Sequence, residues 1–204
     1  MLCSCPKPTA LTAIPSFTCG EKFDQIVKMA IQRIQSTASF NGTDKLITAL
    51  STWTPLLTAS DNTKVIVTPF FAELVIPPSE NAEEGGNDNS TVNGIPINLG
   101  EQPVKPTGIF RNLPYNVKDA LAKIACESVG SYGTAQIWAY FFNKDGKIIS
   151  QGNNGIPLYN WRVSTPGSEG FNQDNKFHFS FWLANNWDTN LAIATPAFNP
   201  LTDL

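Results

Sequence analysis

Two runs in the C-terminal half of the chain are apolar at most positions, and they limit the possible folds most strongly. Residues 135–142 carry apolar side chains on both faces of a predicted strand, and residues 176–183 do so in part, with Phe177, Phe179 and Phe181 in alternation. A strand that is buried on both sides belongs in a sandwich interior or in a sheet covered by a helix or a partner. The chain is therefore expected to be rich in β-structure.

The whole pattern predicts an α+β fold, mainly an antiparallel β-sandwich or barrel-like sheet with two flanking helices. Apolar residues at helical spacing place these helices at about 21–35 and about 116–128. Cap and turn residues indicate a further short helix at 51–59. Beside the two apolar runs, strands are predicted at 64–69, 71–76, 108–111, 147–151, 158–164 and 191–195.

A length of 204 residues suits one domain, which we expect to span 1–204. Prolines near the start predict an extended N-terminal arm over 1–19, and residues 196–204 are expected to form a C-terminal arm. The segment 77–106 is rich in Pro, Gly and Asn and is predicted to be a long acidic insertion loop.

This insertion contains no Lys or Arg before Lys105. A polar segment without its own core becomes ordered only when something holds it, since ordering costs about 1–2 kcal/mol per residue. The holder that we expect is a neighbouring copy in a homo-oligomer. A solvated acidic loop and a calcium site at 87–89 are the alternatives, although the spacing does not match an EF-hand. The residues proposed to mediate assembly are Glu80, Glu83, Glu84, Asp88, Asn89 and Glu101.

The cysteines allow three interpretations. Cys3, Cys5 and Cys19 could supply three thiolates to a zinc ion, but no fourth ligand is evident. A disulfide between Cys5 and Cys19 is a second possibility. Reduced, packed thiols are the third, and for Cys126, inside the second predicted helix, packing is the favoured interpretation.

Recognisable catalytic sequence patterns are missing from the chain. It has no nucleophile elbow, no P-loop and no dinucleotide-binding glycine pattern. The single histidine, His178, is expected on the polar face of a strand rather than as a general base. We therefore expect no catalytic residues, no cofactor and no enzymatic activity.

The net charge and the hydropathy of the chain limit the kinds of partner that it is expected to bind. The net charge of −3 argues against a grip on nucleic acid through Lys and Arg. No apolar run is long enough for a transmembrane helix, and the N-terminus lacks a signal-peptide pattern, so synthesis in the cytoplasm is expected. Aromatic residues of the β-rich region are expected in the core. A carbohydrate-binding surface using Trp161, Trp182 or Trp187 is the alternative, and stacking on single-stranded nucleic acid is less favoured.

Three segments carry a resemblance to a known class of proteins. The opening CxCPKPTxLTxIP…CGEKFDQIVKMAIQR, the middle KVIVTP…GGNDNSTVNG and the ending DTNLAIATPAFNPLTDL resemble small virion structural proteins from tailed phages of gut bacteria. The resemblance spans nearly the whole chain, and the predicted layout is similar to that of a tail tube subunit.

This resemblance implies a β-sandwich that stacks as homo-oligomeric rings, located in the virion and made in the host cytoplasm. Its partners would be further copies and other virion proteins, with DNA only as non-specific passing cargo in an acidic channel. The predicted helices are more prominent than a minimal tube domain needs. A head–tail connector or a capsid decoration protein therefore remains open.

Overall fold

The structure is a computed structural model that describes residues 25–86, 89, 91–129, 134–167 and 174–204. The predicted arm at 1–19 and its three cysteines lie outside the described residues. The elements are β1 (Ile26–Arg33), α1 (Leu50–Thr58), β2 (Val65–Val67), β3 (Ala72–Val75), β4 (Asn81–Glu84), β5 (Ile97–Glu101), β6 (Thr107–Arg111), α2 (Tyr115–Ser128), β7 (Ile137–Asn143), β8 (Ile148–Gln151), β9 (Ile156–Val163), β10 (Lys176–Trp182) and β11 (Leu191–Ala194).

Nine of these strands form one antiparallel sheet that divides into two layers at β7. One edge of β7 pairs with β1, while the other edge pairs with β9 at its start and with β8 at its end. The β7 layer therefore runs β2-β1-β7-β8-β11, and the β10 layer runs β9-β10-β6-β3. This confirms the α+β prediction with a mostly antiparallel, sandwich-like sheet. No ladder among the described residues closes it into a barrel.

The main core lies between the two layers. Phe177, Phe179 and Phe181 of β10 all point into it, whereas His178 and Trp182 are exposed, as the alternation predicts. The indole of Trp161 on β9 stacks on Phe179 and donates from Nε1 to the carbonyl of Leu121 at 3.0 Å. This bond and the apolar face of α2 hold the helix against β9.

The outer face of the β7 layer carries a second core. Every residue of β7 is buried, with Phe141 facing the main core and Tyr140 facing the second one. The prediction that this strand is covered on both faces is therefore confirmed. α1 covers the second core through Trp53, whose ring packs edge-on against Tyr140 at 5.4 Å.

The C-terminal segment 196–204 lies against the same outer face. Phe198, Leu201 and Leu204 pack on the second core. The ammonium of Lys28 on β1 donates to the carbonyl oxygens of Leu201 and Leu204 at 3.0 and 2.8 Å. Burial lowers the pKa of Lys28. The segment that was expected to be an arm thus contacts the sheet of its own chain.

The first predicted helix is wrong, because the described part of 21–35 forms strand β1. β1 pairs with β7 along its length and is buried on both faces, so its apolar residues do not alternate and match helical spacing by accident. Two of its polar residues, Lys28 and Gln32, are buried as well, and Gln32 donates to the carbonyl of Thr63 at 2.6 Å and accepts from Ser39 at 2.9 Å. The two flanking helices of the fold are instead α1 and α2.

The second predicted helix and the short helix are confirmed within a residue or two at their ends. α2 begins after Pro114 and α1 begins after Ala49, and neither N-cap residue forms a side-chain hydrogen bond. The strands predicted outside 77–106 are also present.

Candidate assembly site

The predicted insertion loop at 77–106 is in part a β-hairpin. β4 and β5 pair in a two-stranded sheet of their own, with Asn81 opposite Glu101 and Glu84 opposite Ile97. A short 3₁₀ turn at Val92–Gly94 precedes β5, and Asn93 takes the left-handed conformation there. The prediction of a segment without regular structure is therefore wrong over these strands, because their backbone groups bond to one another.

The base of the hairpin is fixed to the β10 layer. Gln102 donates its N–H to the carbonyl of Glu80 at 2.8 Å, which closes the hairpin at its root. Val104 and Leu183 then exchange backbone hydrogen bonds of 3.1 and 2.9 Å beside the end of β10. The root is thus part of the domain, whereas β4 and β5 pair with no strand of the main sheet among the described residues.

One face of β5 is apolar and uncovered. Ile95, Ile97 and Leu99 alternate with Pro96, Asn98 and Gly100, so the three side chains share a face. They are 65%, 45% and 54% exposed, and Val92 before them is 85% exposed. These side chains therefore form a surface that lacks a partner within the described chain.

Carboxylates border this apolar row. Glu84 lies directly across from Ile97, so it shares the apolar face. Glu83 lies across from Asn98 on the opposite face, and Glu101, across from Asn81, joins it there because the bulge at Leu99 shifts the alternation by one residue. The hairpin thus presents an apolar strip with one acidic residue beside it and further carboxylates on its other face.

The residues predicted to mediate assembly are therefore only partly brought together. Glu80, Glu83, Glu84 and Glu101 are exposed, and none forms an ion pair with a residue that the structure describes. Asn89 is exposed near the tip, and Asp88 lies outside the described residues. Within the described ranges no group of three His, Cys, Asp or Glu side chains is placed to hold a metal ion.

The apolar residues of the site were not predicted from the sequence. The prediction concentrated on the carboxylates, although the alternation of Ile95, Ile97 and Leu99 is a strand signal. The intervening Pro96 and Gly100 obscured it, since both residues are typical of loops. The site is thus an amphipathic hairpin face rather than an acidic loop.

The structure also changes the expectations for Cys126 and for the candidate carbohydrate-binding tryptophans. Cys126, predicted to be a packed thiol, is exposed on α2, because the buried stripe of the helix passes through Leu121 and Ile124 instead. Trp161 is fully buried, which removes it as a carbohydrate platform, and Trp187 packs partly against the main core.

Trp182 is the tryptophan that remains accessible. It is 39% exposed, is paired across strands with Tyr159, and borders a cleft of about 450 Å³ that Asn160 and Asn185 also line. The ammonium of Lys105 lies 5.8 Å from the centre of its ring. The cleft thus combines aromatic surface, side-chain amides and one positive charge.

Comparisons with protein-family models, with curated proteins and with solved structures find no match for this chain. Among the described residues, neither helix has the length and apolar character needed to span a membrane.

Proposed function

We propose that this chain is a self-assembling structural subunit whose β4–β5 hairpin packs against a neighbouring copy. The observation that carries the proposal is the uncovered apolar face formed by Ile95, Ile97 and Leu99. Fully burying an exposed side chain of this size contributes about 1.5–3 kcal/mol, and about half of that is available here because the three side chains are 45–65% exposed. An uncovered row on a projecting hairpin is typical of an interaction surface.

The particle that we propose is the virion of a tailed phage, with a tail tube ring as the first choice. The support is the resemblance of the opening, middle and ending segments, together with an antiparallel sandwich that carries a projecting hairpin. The acidic hairpin suits a surface past which DNA moves without binding, since like charges repel. A head–tail connector and a capsid decoration protein are the alternatives within the same class. No catalytic role and no cofactor belong to this proposal.

Electron microscopy of negatively stained protein tests the proposal, with light scattering to measure mass. Rings, tubes or other regular oligomers are expected for the unaltered chain. The double variant Ile97→Lys with Leu99→Lys is expected to stay folded, because both side chains are exposed, and to lose assembly.

The control is Leu46→Lys with Leu50→Lys, which places the same charges on exposed leucines at the start of α1. This control is expected to assemble normally. Unaltered protein that stays monomeric at high concentration would contradict the proposal.

A second candidate function is carbohydrate binding, which the cleft beside Trp182 favours. An exposed indole paired with Tyr159 offers a stacking surface, and Asn160 and Asn185 offer amides for hydroxyl groups. Calorimetric titration with cellohexaose and with chitohexaose tests it. Binding that Trp182→Ala abolishes would support this function, and an absence of heat with both oligosaccharides would remove it.

A further inference from the structure

A second exposed apolar surface is a groove formed by residues outside the hairpin. It lies between β2 and α2 and encloses about 530 Å³. Val117 and Ala120 line it from the helix, and Ile66 and Phe70 line it from the β2 side. Ile66 is 46% exposed and Phe70 is 57% exposed, so the groove is both apolar and open. We call it the β2–α2 groove.

The β2 side of the groove has unused backbone as well. β2 pairs with β1 and with no other strand among the described residues, so it is an edge strand. The lining segment from Ile66 to Phe70 spans at most about 13 Å at the rise of an extended chain, and β5 is also about 13 Å long. A single hairpin strand therefore fits along the groove.

The one charged side chain of the groove is opposite in sign to those of the hairpin. Lys28 is the one ionisable side chain among the described residues that line it; it is largely buried, its ammonium donates to the carbonyl oxygens of Leu201 and Leu204, and it lies 5.2 Å from the centre of the Phe70 ring. The hairpin has four described carboxylates and no basic residue. The charges of the two surfaces are therefore complementary in sign, although the groove is mainly apolar.

We infer that the β2–α2 groove of one copy receives the apolar face of the β4–β5 hairpin of a second copy. This inference rests on the proposed function and names the surface on which the hairpin docks. Ile97 and Leu99 would cover Ile66 and Phe70, and Glu84, which shares their face, would approach the Lys28 end of the groove. Because donor and acceptor are different surfaces, the contact is heterologous and repeats from copy to copy into a ring or a filament.

Complementation between two inactivated variants tests this arrangement. The donor variant is Ile97→Lys with Leu99→Lys, and the acceptor variant is Ile66→Glu with Phe70→Glu, which places negative charge where the acidic hairpin would dock. Each variant alone is expected to be monomeric by sedimentation velocity. A one-to-one mixture retains one intact hairpin and one intact groove, so it is expected to form heterodimers and nothing larger.

Two controls keep the test decisive. Ala120→Trp fills the groove from the helix side without altering β2, and it is expected to weaken self-association by more than about tenfold in concentration. Leu46→Glu with Leu50→Glu adds the same charge elsewhere and is expected to associate normally. Circular dichroism of each variant checks that it is folded.

The outcomes separate this inference from the proposed function. If the unaltered chain assembles and the donor variant does not, but the folded acceptor variant and Ala120→Trp assemble normally, the groove is not the docking surface and the inference is overturned while the function stands. Failure of the mixture to form heterodimers also overturns it. Monomeric unaltered protein overturns both.

Discussion

Gly155 lies where the backbone before β9 passes too close to β7 for a side chain. A Cβ at this position would be 2.5 Å from the Cβ of Trp138 and 3.2 Å from the backbone nitrogen and oxygen of Ala139. These atoms belong to a strand that is buried on both faces, so they have little room to shift. This close approach lies just before the start of β9, where Ile156 pairs with Ala139 of β7.

Gly155→Ala is therefore expected to destabilise the fold by about 1–3 kcal/mol, the usual cost of overpacking a core. Urea denaturation of the two proteins measures the change in the free energy of unfolding. Gly167→Ala is the matched control, because a Cβ there would meet no atom of the described residues within 4 Å. Its effect is expected to stay within about 0.5 kcal/mol. Equal effects of the two substitutions would contradict the close approach at Gly155.

Tyr140 makes the free energy of unfolding depend on pH in the alkaline range. Burial raises the pKa of its hydroxyl above the ordinary value. Above about pH 10 the unfolded chain releases this proton while the folded chain retains it, so the stabilising contribution is present below that pH and lost above it. The expected slope approaches about 1.4 kcal/mol per pH unit.

Tyr140→Phe is expected to remove this part of the pH dependence. The free energy of unfolding of both proteins, measured by urea titration between about pH 8 and 11, gives the difference. Lys28 changes the free energy of unfolding with pH in the opposite direction, because its lowered pKa makes the folded chain release a proton at a lower pH than the unfolded chain does. Lys28 is present in both proteins, so its contribution cancels in the difference between them. A difference that stays constant over this range would count against the burial of the hydroxyl.

At the level of secondary-structure elements, the sequence predicted the helices and strands whose apolar residues form a clear local pattern. β10 and α2 were recognised because each buries one face, which produces alternation in the strand and a stripe in the helix. β1 was mistaken for a helix because both of its faces are buried and its polar side chains, Lys28 and Gln32, find partners in distant segments. Only tertiary context distinguishes such a strand from an amphipathic helix.

The hairpin at the candidate site was likewise predicted only in part from local sequence. Its carboxylates were recognised from composition, but the apolar face depends on the register between β4 and β5, which a bulge between Ala82 and Glu83 interrupts. Likewise, the β2–α2 groove joins segments about 50 residues apart. Neither surface follows from local spacing alone.

α1 is held mainly by Trp53. Its ring lies 4.7 Å from that of Phe40 and 5.9 Å from that of Phe142, and its Nε1 donates to the carbonyl of Ile47 at 2.8 Å. Trp53→Ala is expected to cost about 3–5 kcal/mol in the free energy of unfolding. The exposed Trp182 is the matched control, and Trp182→Ala is expected to cost under about 1 kcal/mol. Thermal or urea unfolding followed by circular dichroism measures both, and similar losses would contradict the anchoring role of Trp53.

At the scale of the whole molecule, we expect stability and the proposed assembly to depend on separate parts. Two apolar cores hold the sandwich, α1 and α2 together. The hairpin leaves Ile95, Ile97 and Leu99 uncovered and has its strands paired only with each other among the described residues. Substitutions in the cores should therefore alter the free energy of unfolding, whereas substitutions on the hairpin face should alter association and leave unfolding of the monomer nearly unchanged.

The central claim is that this hairpin face drives association of copies. Light scattering of the full chain over a dilution series measures it most directly, with Ile97→Lys plus Leu99→Lys run in parallel. The expected result is a mass above that of one 22.2 kDa chain that falls on dilution, with the variant at the mass of a single chain throughout. A single-chain mass for the unaltered protein at every concentration, or the same oligomer in the folded variant, would contradict the claim.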